Sequence, residues 1–276
     1  KKMEQNIVLE MRDISKNFTG VRALSHVDFT LRKGEIHALM GENGAGKSTL
    51  IKVLTGVHEF ESGSIHMNGE NKNIINHSPQ EAQKLGISTV YQEITLCPNL
   101  SVAENMYIGR SNKIYQNWKK MNEDADKILQ NLDIPAKASQ QLASCSIAVQ
   151  QMVAIARAVD MDCKVLILDE PTAVLTPQES DRLFDILRNM RKDGCSIMII
   201  THKLQEVLAL SDRVAILRKG KYIDTVETAQ ANAQSLSEMM VGGRVDLNID
   251  RPEPENVKKR LVVKGLNCKN KEEVKT

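Results

Sequence analysis

The chain has 276 residues, 41% hydrophobic and 26% charged, a composition typical of a globular protein with one large domain or two small ones. The net charge is only +2, the Lys and Arg residues are scattered and aromatic residues make up 3%, so no nucleic-acid partner is expected. No apolar run reaches the roughly 18 residues needed to span a bilayer.

The first elements in chain order are strands. Residues 7–11 and 23–31 alternate apolar and polar side chains and predict two strands separated by a turn at Thr19-Gly20. Residues 35–40 predict a third strand, which leads directly into a glycine-rich loop. An amphipathic run then predicts a helix that begins near Lys47 and ends before Gly56.

The loop at residues 41–48 reads G-x-x-x-x-G-K-S, the pattern that cradles nucleotide phosphates. Its glycines let backbone N–H groups approach phosphate oxygens, and the helix start adds the positive end of its dipole. Lys47 would neutralise β- and γ-phosphate charge, and the Ser48 hydroxyl would ligate Mg²⁺. The predicted phosphate site comprises Gly41, Glu42, Asn43, Gly44, Ala45, Gly46, Lys47, Ser48 and Thr49.

The middle of the chain changes from strands to helices. Residues 64–67 and 87–91 predict strands, with a short helix at 79–85 between them. From about residue 94 to residue 159 the pattern is helical, with periodic apolar residues at 118–132 and 149–159. Residues 164–168 then form a near-continuous apolar run after Lys164, which suits a strand buried on both faces of a parallel sheet.

That buried strand ends in two adjacent carboxylates, Asp169 and Glu170. In a fold with a phosphate loop, an aspartate at the carboxyl end of a strand can hold the Mg²⁺ shell. Glu170 can then orient and polarise an attacking water as a general base. Two acids that merely end a strand in solvent would be the plainer interpretation if the phosphate loop were absent.

The last elements alternate helix and strand. Thr176, Pro177 and Glu179 predict a capped helix that runs to about Asp193. A strand at 196–200, a helix at 204–210, a hairpin of 214–217 with 222–226, and a helix at 235–241 follow. The whole pattern predicts an α/β fold: a P-loop core with a mainly parallel sheet, an N-terminal antiparallel β subdomain and an inserted α-helical subdomain.

Residues 245–260 are polar, charged and proline-bearing, and we interpret them as a linker. Residues 261–267 resemble residues 9–15 in their order of apolar, basic and turn-prone positions. Two unrelated edge strands would give the same short match, so this comparison alone leaves the origin of the segment open.

Further segments, in order, resemble the nucleotide-binding subunit of ABC transporters over residues 5–244, with a helical subdomain at about 93–160. Gln92 matches the glutamine loop, and Ser146 lies where the L-S-G-G-Q signature belongs, before the helix that contains residues 150–158. Residues 171–176 match the loop after the Walker B strand, His202 matches the switch histidine, and Phe18 matches the aromatic residue that stacks on adenine.

The resemblance implies a role for each match. It implies ATP and Mg²⁺ as ligands, with Ser48, Gln92 and Asp169 near the metal. Glu170, His202 and Gln92 would be catalytic, and Phe18 and Ser146 would contact ATP. A lone Phe18 would more often be a core aromatic, a lone Gln92 a surface glutamine and a lone His202 a satisfied strand-end histidine.

The signature departs from the family pattern. Cys145, Ile147, Ala148 and Val149 replace its leucine, two glycines and glutamine, so this half-site should promote hydrolysis poorly. The loop after Walker B ends in Thr176, where many relatives have aspartate. Both departures, together with four further segments, resemble one branch of the family, the ribose/galactose-type monosaccharide importers. The segments are residues 90–93, 100–105, 201–204 and 240–244.

That branch implies a tandem ATPase at the cytoplasmic face of the membrane. Its partners would be a second nucleotide-binding domain in the same chain, starting at 261–276, transmembrane permease subunits, and a periplasmic or extracellular sugar-binding protein. Two other classes stay open. The first is a soluble ABC-type ATPase of DNA repair or translation. Repair forms carry a long coiled coil between the glutamine loop and the signature, and residues 93–144 are too few for one. A non-hydrolysing regulatory domain is favoured by the eroded signature and disfavoured by an intact Lys47 and Glu170.

Overall fold

The computed structural model describes residues 6–70, 73–92, 95–109, 117–161, 163–244 and 264. The chain divides into two units, residues 1–245 and 246–276, and Lys264 is the one described residue of the second. The predicted linker and the predicted second-domain start therefore lie outside the described residues, apart from Lys264. The described part of the chain contains no helix long and apolar enough to cross a membrane.

The described residues form nine strands and eight α-helices. The strands are β1 Ile7–Phe18, β2 Val21–Arg32, β3 Ile36–Met40, β4 Ser62–Met67, β5 Ile87–Val90, β6 Val165–Asp169, β7 Ser196–Ile200, β8 Arg213–Arg218 and β9 Lys221–Glu227. The helices are α1 Lys47–Leu54, α2 Pro79–Lys84, α3 Val102–Tyr107, α4 Trp118–Asn131, α5 Ile147–Asp160, α6 Pro177–Lys192, α7 Leu204–Leu210 and α8 Ala233–Val241.

A six-stranded sheet organises the core in the order β5-β6-β7-β3-β8-β9. Neighbours from β5 to β8 pair in parallel, and β9 pairs antiparallel with β8 through the predicted hairpin. Along β6, Leu166 and Leu168 belong to one hydrophobic core, whereas Val165 and Ile167 belong to the other. Alternate residues point to opposite faces and both faces are covered, so residues 165–168 are all apolar, as the sequence predicts.

A second sheet is antiparallel, with the order β2-β1-β4. Its buried residues join α1 in the core on one face of the six-stranded sheet. Helices α3, α4 and α5 follow β5, pack against one another and join the core on the other face. The predicted α/β class, with an antiparallel β subdomain and a helical insertion, is confirmed.

The largest boundary difference concerns β1, which continues to Phe18 although alternation predicts a strand only over residues 7–11. The register with β2 and β4 shifts around Asp13, whose φ is 55°. Such a bulge interrupts the alternation of side chains without ending the strand. The strand at Ser62–Met67 also begins two residues earlier than predicted, because it pairs with the extended part of β1.

Candidate functional site

The glycine-rich loop joins the end of β3 to the start of α1. Gly46 has φ 105°, α1 begins at Lys47, and no side chain caps this helix. The N–H groups of its first turn have no partner within the helix, so they can bind an anion. A Cβ at Gly46 would lie 2.7 Å from the Ala23 carbonyl oxygen, and one at Gly41 would lie 2.4 Å from that of Leu217. Glycine is therefore required at both positions.

The β8–β9 hairpin supports this loop from outside. Gly220 donates its backbone N–H to the carbonyl oxygen of Ala45 at 3.0 Å. The Gly220 carbonyl oxygen in turn accepts the backbone N–H of Ser25 at 2.7 Å. Thus the turn predicted at Lys219-Gly220 also connects the phosphate loop to β2, which sequence reasoning missed because these residues are far apart in the chain.

Lys47 is buried and turned back over its own loop. Its Nζ donates to the carbonyl oxygens of Gly41 at 2.7 Å and Glu42 at 3.0 Å. Burial lowers the pKa of Lys47, and the charges of Glu170 and Asp169 oppose this shift. A phosphate oxygen would give the same ammonium group a stronger, charge-assisted acceptor than a carbonyl oxygen.

Ser48 in α1 and Asp169 at the end of β6 each offer oxygen atoms that can bind a metal ion. Ser48 is exposed in the first turn of α1, and Asp169 is the half-buried last residue of β6. Burial raises the pKa of Asp169, as does the nearby Glu170, and Lys47 opposes the rise. A hydroxyl and a carboxylate are hard ligands that fit Mg²⁺. Among the described residues no group of three or more His, Cys, Asp or Glu could hold a metal ion alone, so phosphate and water would supply the other ligands.

Glu170 is held in an uncommon backbone conformation beside a histidine. Its φ is 46°, in the left-handed region, and its N–H donates to the Ile200 carbonyl oxygen at 2.8 Å. Its Oε1 lies 2.9 Å from His202 Nδ1. The carboxylate side chain is mostly buried, whereas the imidazole of His202 is largely exposed. The structure therefore brings together Glu170 and His202. Lys47 and Asp169 are close enough to each other for the charge of each to shift the pKa of the other.

Three further predicted residues lie outside this group in the interactions described. Ser146 lies directly before α5, as predicted, where it is the N-cap, and its Oγ accepts the Val149 N–H at 3.3 Å. Gln92 is exposed after β5, and the two residues that follow it are not described. Phe18 is 40% exposed at the end of β1, with its ring 5.1 Å from that of His58. Sequence reasoning missed His58, which carries no motif.

The signature segment has a bulkier helix start than the phosphate loop, whose helix follows Gly46. Ile147, in the position of the first family glycine, is 53% exposed at the N-terminus of α5. The next residue, Ala148, is buried. A branched side chain thus stands at the helix end where a glycine would leave the backbone open.

A model of the family described as ABC transporter matches residues 24–173. The galactofuranose transporter ATP-binding protein YtfR of Escherichia coli is 46% identical over 241 residues, which are 87% of this chain and 48% of that protein. The ribose import ATP-binding protein RbsA 1 of Streptomyces avermitilis is 43% identical over 261 residues, 94% of this chain and 49% of that protein. The chain spans about half the length of the curated relatives it matches.

Solved structures show the same fold. A crystal structure described as the ADP conformation of an ATP-binding cassette of an ABC transporter has a TM-score of 0.76 and 27% identity, covering 86% of this chain and 99% of that one. A nucleotide-free cassette has a TM-score of 0.73 and 26% identity, covering 86% of this chain and 95% of that one. The phosphate loop and the strand that ends at Asp169 both lie within the stretch matched by the family model.

Proposed function

The chain belongs to the ABC transporter family, and from this premise we propose that it is a nucleotide-binding domain that hydrolyses ATP to power import of a monosaccharide. One observation carries the proposal: Glu170, directly after the buried strand β6, lies 2.9 Å from His202 and shifts the titration of Lys47 and Asp169. A base, a histidine, a metal-binding carboxylate and a phosphate-binding lysine thus converge on one end of the sheet.

Nucleotide binding would use the phosphate loop and Phe18. The N–H groups of the loop and of the first turn of α1 would donate to phosphate oxygens, and Lys47 would exchange its carbonyl acceptors for the β- and γ-phosphates. The exposed ring of Phe18 is available to stack on adenine. A stacked base contributes about 1–3 kcal/mol.

Hydrolysis would use Glu170 as the base that orients and deprotonates the attacking water. His202 holds one carboxylate oxygen of Glu170 through Nδ1 and would contact the γ-phosphate. Bound Mg²⁺ would neutralise charge that develops on the phosphates. Ser48, Asp169 and Gln92 are the residues that would hold this ion or its waters, and Gln92 would also couple the site to the membrane subunit.

A second nucleotide-binding domain is proposed as the partner in catalysis. Domains of this family pair head to tail, so that the signature of one completes the ATP site of the other. Ser146 would contact the partner's nucleotide, but Ile147 obstructs the backbone beside it. The half-length coverage of the curated relatives supports a second domain in the same chain, joined through residues 245–260, with 261–276 as its start.

Transmembrane permease subunits and a periplasmic or extracellular sugar-binding protein are the remaining proposed partners, with this domain at the cytoplasmic face of the membrane. A cavity of about 330 Å³ borders β5 and α5 and is lined by Tyr91 and Ala154, among others. Tyr91, which lines this cavity, directly precedes Gln92 in the chain, so a permease segment bound in the cavity would reach the glutamine loop. The names of the relatives, galactofuranose transporter and ribose import proteins, support a monosaccharide as cargo.

A regulatory domain that binds ATP without hydrolysing it is the second candidate, favoured by the exposed Ile147 in the signature. Phosphate release from Mg-ATP, measured with and without the second domain, separates the two. The proposed function predicts turnover that rises when the second domain is added. Tight ATP binding without turnover in either sample would favour the regulatory domain.

A further inference from the structure

A buried polar network lies behind the Glu170–His202 contact, centred on the carboxylate of Glu206. The hydroxyl oxygen of Thr172 lies 2.6 Å from each carboxylate oxygen, so its single proton can be donated to either. Thr201 donates its hydroxyl to Oε2 at 3.3 Å. Lys203 Nζ lies 3.1 Å from Oε1 and also donates to the Thr172 carbonyl oxygen at 2.8 Å.

The burial of this network distinguishes it from an ordinary surface pair. Lys203 and Glu206 are three residues apart on one helix turn, a spacing typical of weak, solvated ion pairs. However, Thr172 is 1% exposed, Thr201 is 2% exposed and the Glu206 side chain is 12% exposed, so that within the network only the Lys203 side chain, at 39%, reaches far into solvent. A carboxylate removed from water to this extent requires its hydrogen-bond partners, because losing them leaves a buried charge unpaired.

The network joins the two segments that carry the proposed catalytic pair. Thr172 is two residues after Glu170, and Thr201 is directly before His202. These segments leave the neighbouring strands β6 and β7, which pair as far as Asp169 and Ile200. Beyond the strands, the described backbone contact between the segments is the Glu170 N–H bond to Ile200. Glu206 therefore provides a second connection, made by side chains, immediately behind the site.

Glu170 needs such support because of its backbone. A φ of 46° lies in the left-handed region, which residues other than glycine adopt rarely and keep only where their surroundings fix it. The residues after Glu170 form a turn rather than a helix or strand. The turn is closed by the backbone bond from the Ala173 N–H to the Glu170 carbonyl oxygen at 3.2 Å. The bond from Thr172 to Glu206 holds it from outside.

We propose that Glu206 is a positioning residue for ATP hydrolysis: it fastens the turn after Glu170 to the segment that carries His202 and so keeps Glu170 and His202 in contact. This inference rests on the proposed ATPase function. Glu206 touches neither the phosphate loop nor Phe18 in the interactions described, so its role is confined to the hydrolysis step. Lys203 neutralises its charge and ties the same turn through the Thr172 carbonyl oxygen.

The test compares substitutions within the network. Glu206→Ala should lower kcat roughly tenfold to a hundredfold, the cost of a small misplacement of catalytic groups, while ATP affinity stays within about twofold. Thr172→Val, which removes the hydroxyl at nearly constant volume, should lower kcat in the same direction. Thr172→Ser, which keeps the hydroxyl, should restore most of it. The proposal would be overturned if Thr172→Val and Thr172→Ser lost kcat equally. It would also be overturned if Glu206→Ala lost ATP affinity while its kcat stayed unchanged.

Ser211→Ala is the matched control. Ser211 is the C-cap directly after α7, and its hydroxyl bonds to the Val207 carbonyl oxygen and the Thr228 hydroxyl. The substitution removes these bonds and so perturbs the helix without touching the network. Its kcat should stay near that of the parent. If Ser211→Ala lowers kcat as much as Glu206→Ala does, Glu206 acts only by stabilising α7 and the proposal is wrong.

A second measurement needs no catalysis. Amide hydrogen exchange should become at least about tenfold faster in residues 170–173 and 201–203 of Glu206→Ala, but not of Ser211→Ala. If the parent binds ATP without turnover even with the second nucleotide-binding domain present, the proposed hydrolysis fails, and exchange alone decides the positioning role. Unchanged exchange in both segments would overturn it. If turnover is present, adding Glu206→Ala to a His202→Ala variant should lower kcat little further, because the contact between Glu170 and His202 that Glu206 preserves is already gone.

Discussion

The carboxylate of Glu170 and the imidazole of His202 are in direct contact, with Oε1 2.9 Å from Nδ1, although 32 positions separate them in sequence. The contact arises because β6 and β7 are parallel neighbours whose carboxyl ends lie at one edge of the sheet. A carboxylate with one oxygen held by an imidazole keeps the other oxygen for a water molecule. This geometry makes Glu170, rather than Asp169, the proposed base.

Lys47→Ala should weaken binding of Mg-ATP and abolish turnover. A charge-assisted hydrogen bond contributes about 1.5–3 kcal/mol, so affinity should fall about 10- to 150-fold. Isothermal titration calorimetry with ATP measures this. Lys119→Ala, on the exposed first turn of α4, is the control and should bind as the parent does. Equal affinity in the parent and Lys47→Ala would contradict the role of the phosphate loop.

Phe18→Ala should weaken binding of ATP but not of inorganic tripolyphosphate. The ring is 40% exposed and would stack on the base, so its loss should cost about 1–3 kcal/mol for ATP alone. Competition between each ligand and a fluorescent nucleotide gives both affinities. A parallel loss of tripolyphosphate affinity would mean that Phe18 supports the loop instead, and unchanged ATP affinity would remove it from the site.

Folding stability should fall as the solution becomes acidic, because of His37. This residue is buried beside Glu35 and Arg213, and burial lowers its pKa from the ordinary 6.5 to about 4, with Glu35 opposing the shift. Between those values the unfolded chain binds the proton and the folded chain does not. The free energy of unfolding should therefore drop by about 2 kcal/mol from about pH 7 to about pH 5.

Urea unfolding at the two pH values measures this change, and His37→Gln, which has no titrating ring, is the control. The variant will be less stable overall, so the comparison concerns the difference between pH values within each protein. If the parent and His37→Gln lose the same stability on acidification, burial of a neutral His37 is not its cause.

Restoring the signature should raise turnover. The quadruple variant Cys145→Leu, Ile147→Gly, Ala148→Gly and Val149→Gln removes the exposed isoleucine from the N-terminus of α5 and reopens the backbone there. Its turnover should exceed that of the parent chain at high protein concentration, where two copies pair by mass action. Phosphate release as a function of protein concentration measures this. Equal rates at every concentration would show that the signature is not what limits the chain.

The motifs were predictable because their chemistry fixes residue type and spacing. Gly41, Lys47 and Ser48 must follow one another closely to surround a phosphate, and Asp169 must end a buried strand to reach it. The capping box of Thr176 and Glu179 was likewise predicted from local spacing, and the structure contains it. Short runs of alternating or continuous apolar residues located most of the strands for the same reason.

Contacts between distant segments were not predictable in this way. The bond from Gly220 to Ala45 and the network from Thr172 to Glu206 depend on sheet order, which no local pattern encodes. The bulge at Asp13 ended the alternation in β1 and made the predicted strand too short. Glu206 carries only the signal of an acid three residues after a lysine at a helix start, which is common on solvated helices.

The central claim is that this chain hydrolyses Mg-ATP with Glu170 as base, and phosphate release by the parent and by Glu170→Gln tests it most directly. Both proteins are assayed with the second nucleotide-binding domain present, and ATP affinity is measured for each. We expect turnover in the parent, equal ATP binding in both, and a nearly complete loss of phosphate release in Glu170→Gln, because an amide cannot accept the proton. Hydrolysis by Glu170→Gln near the parent rate would contradict the account.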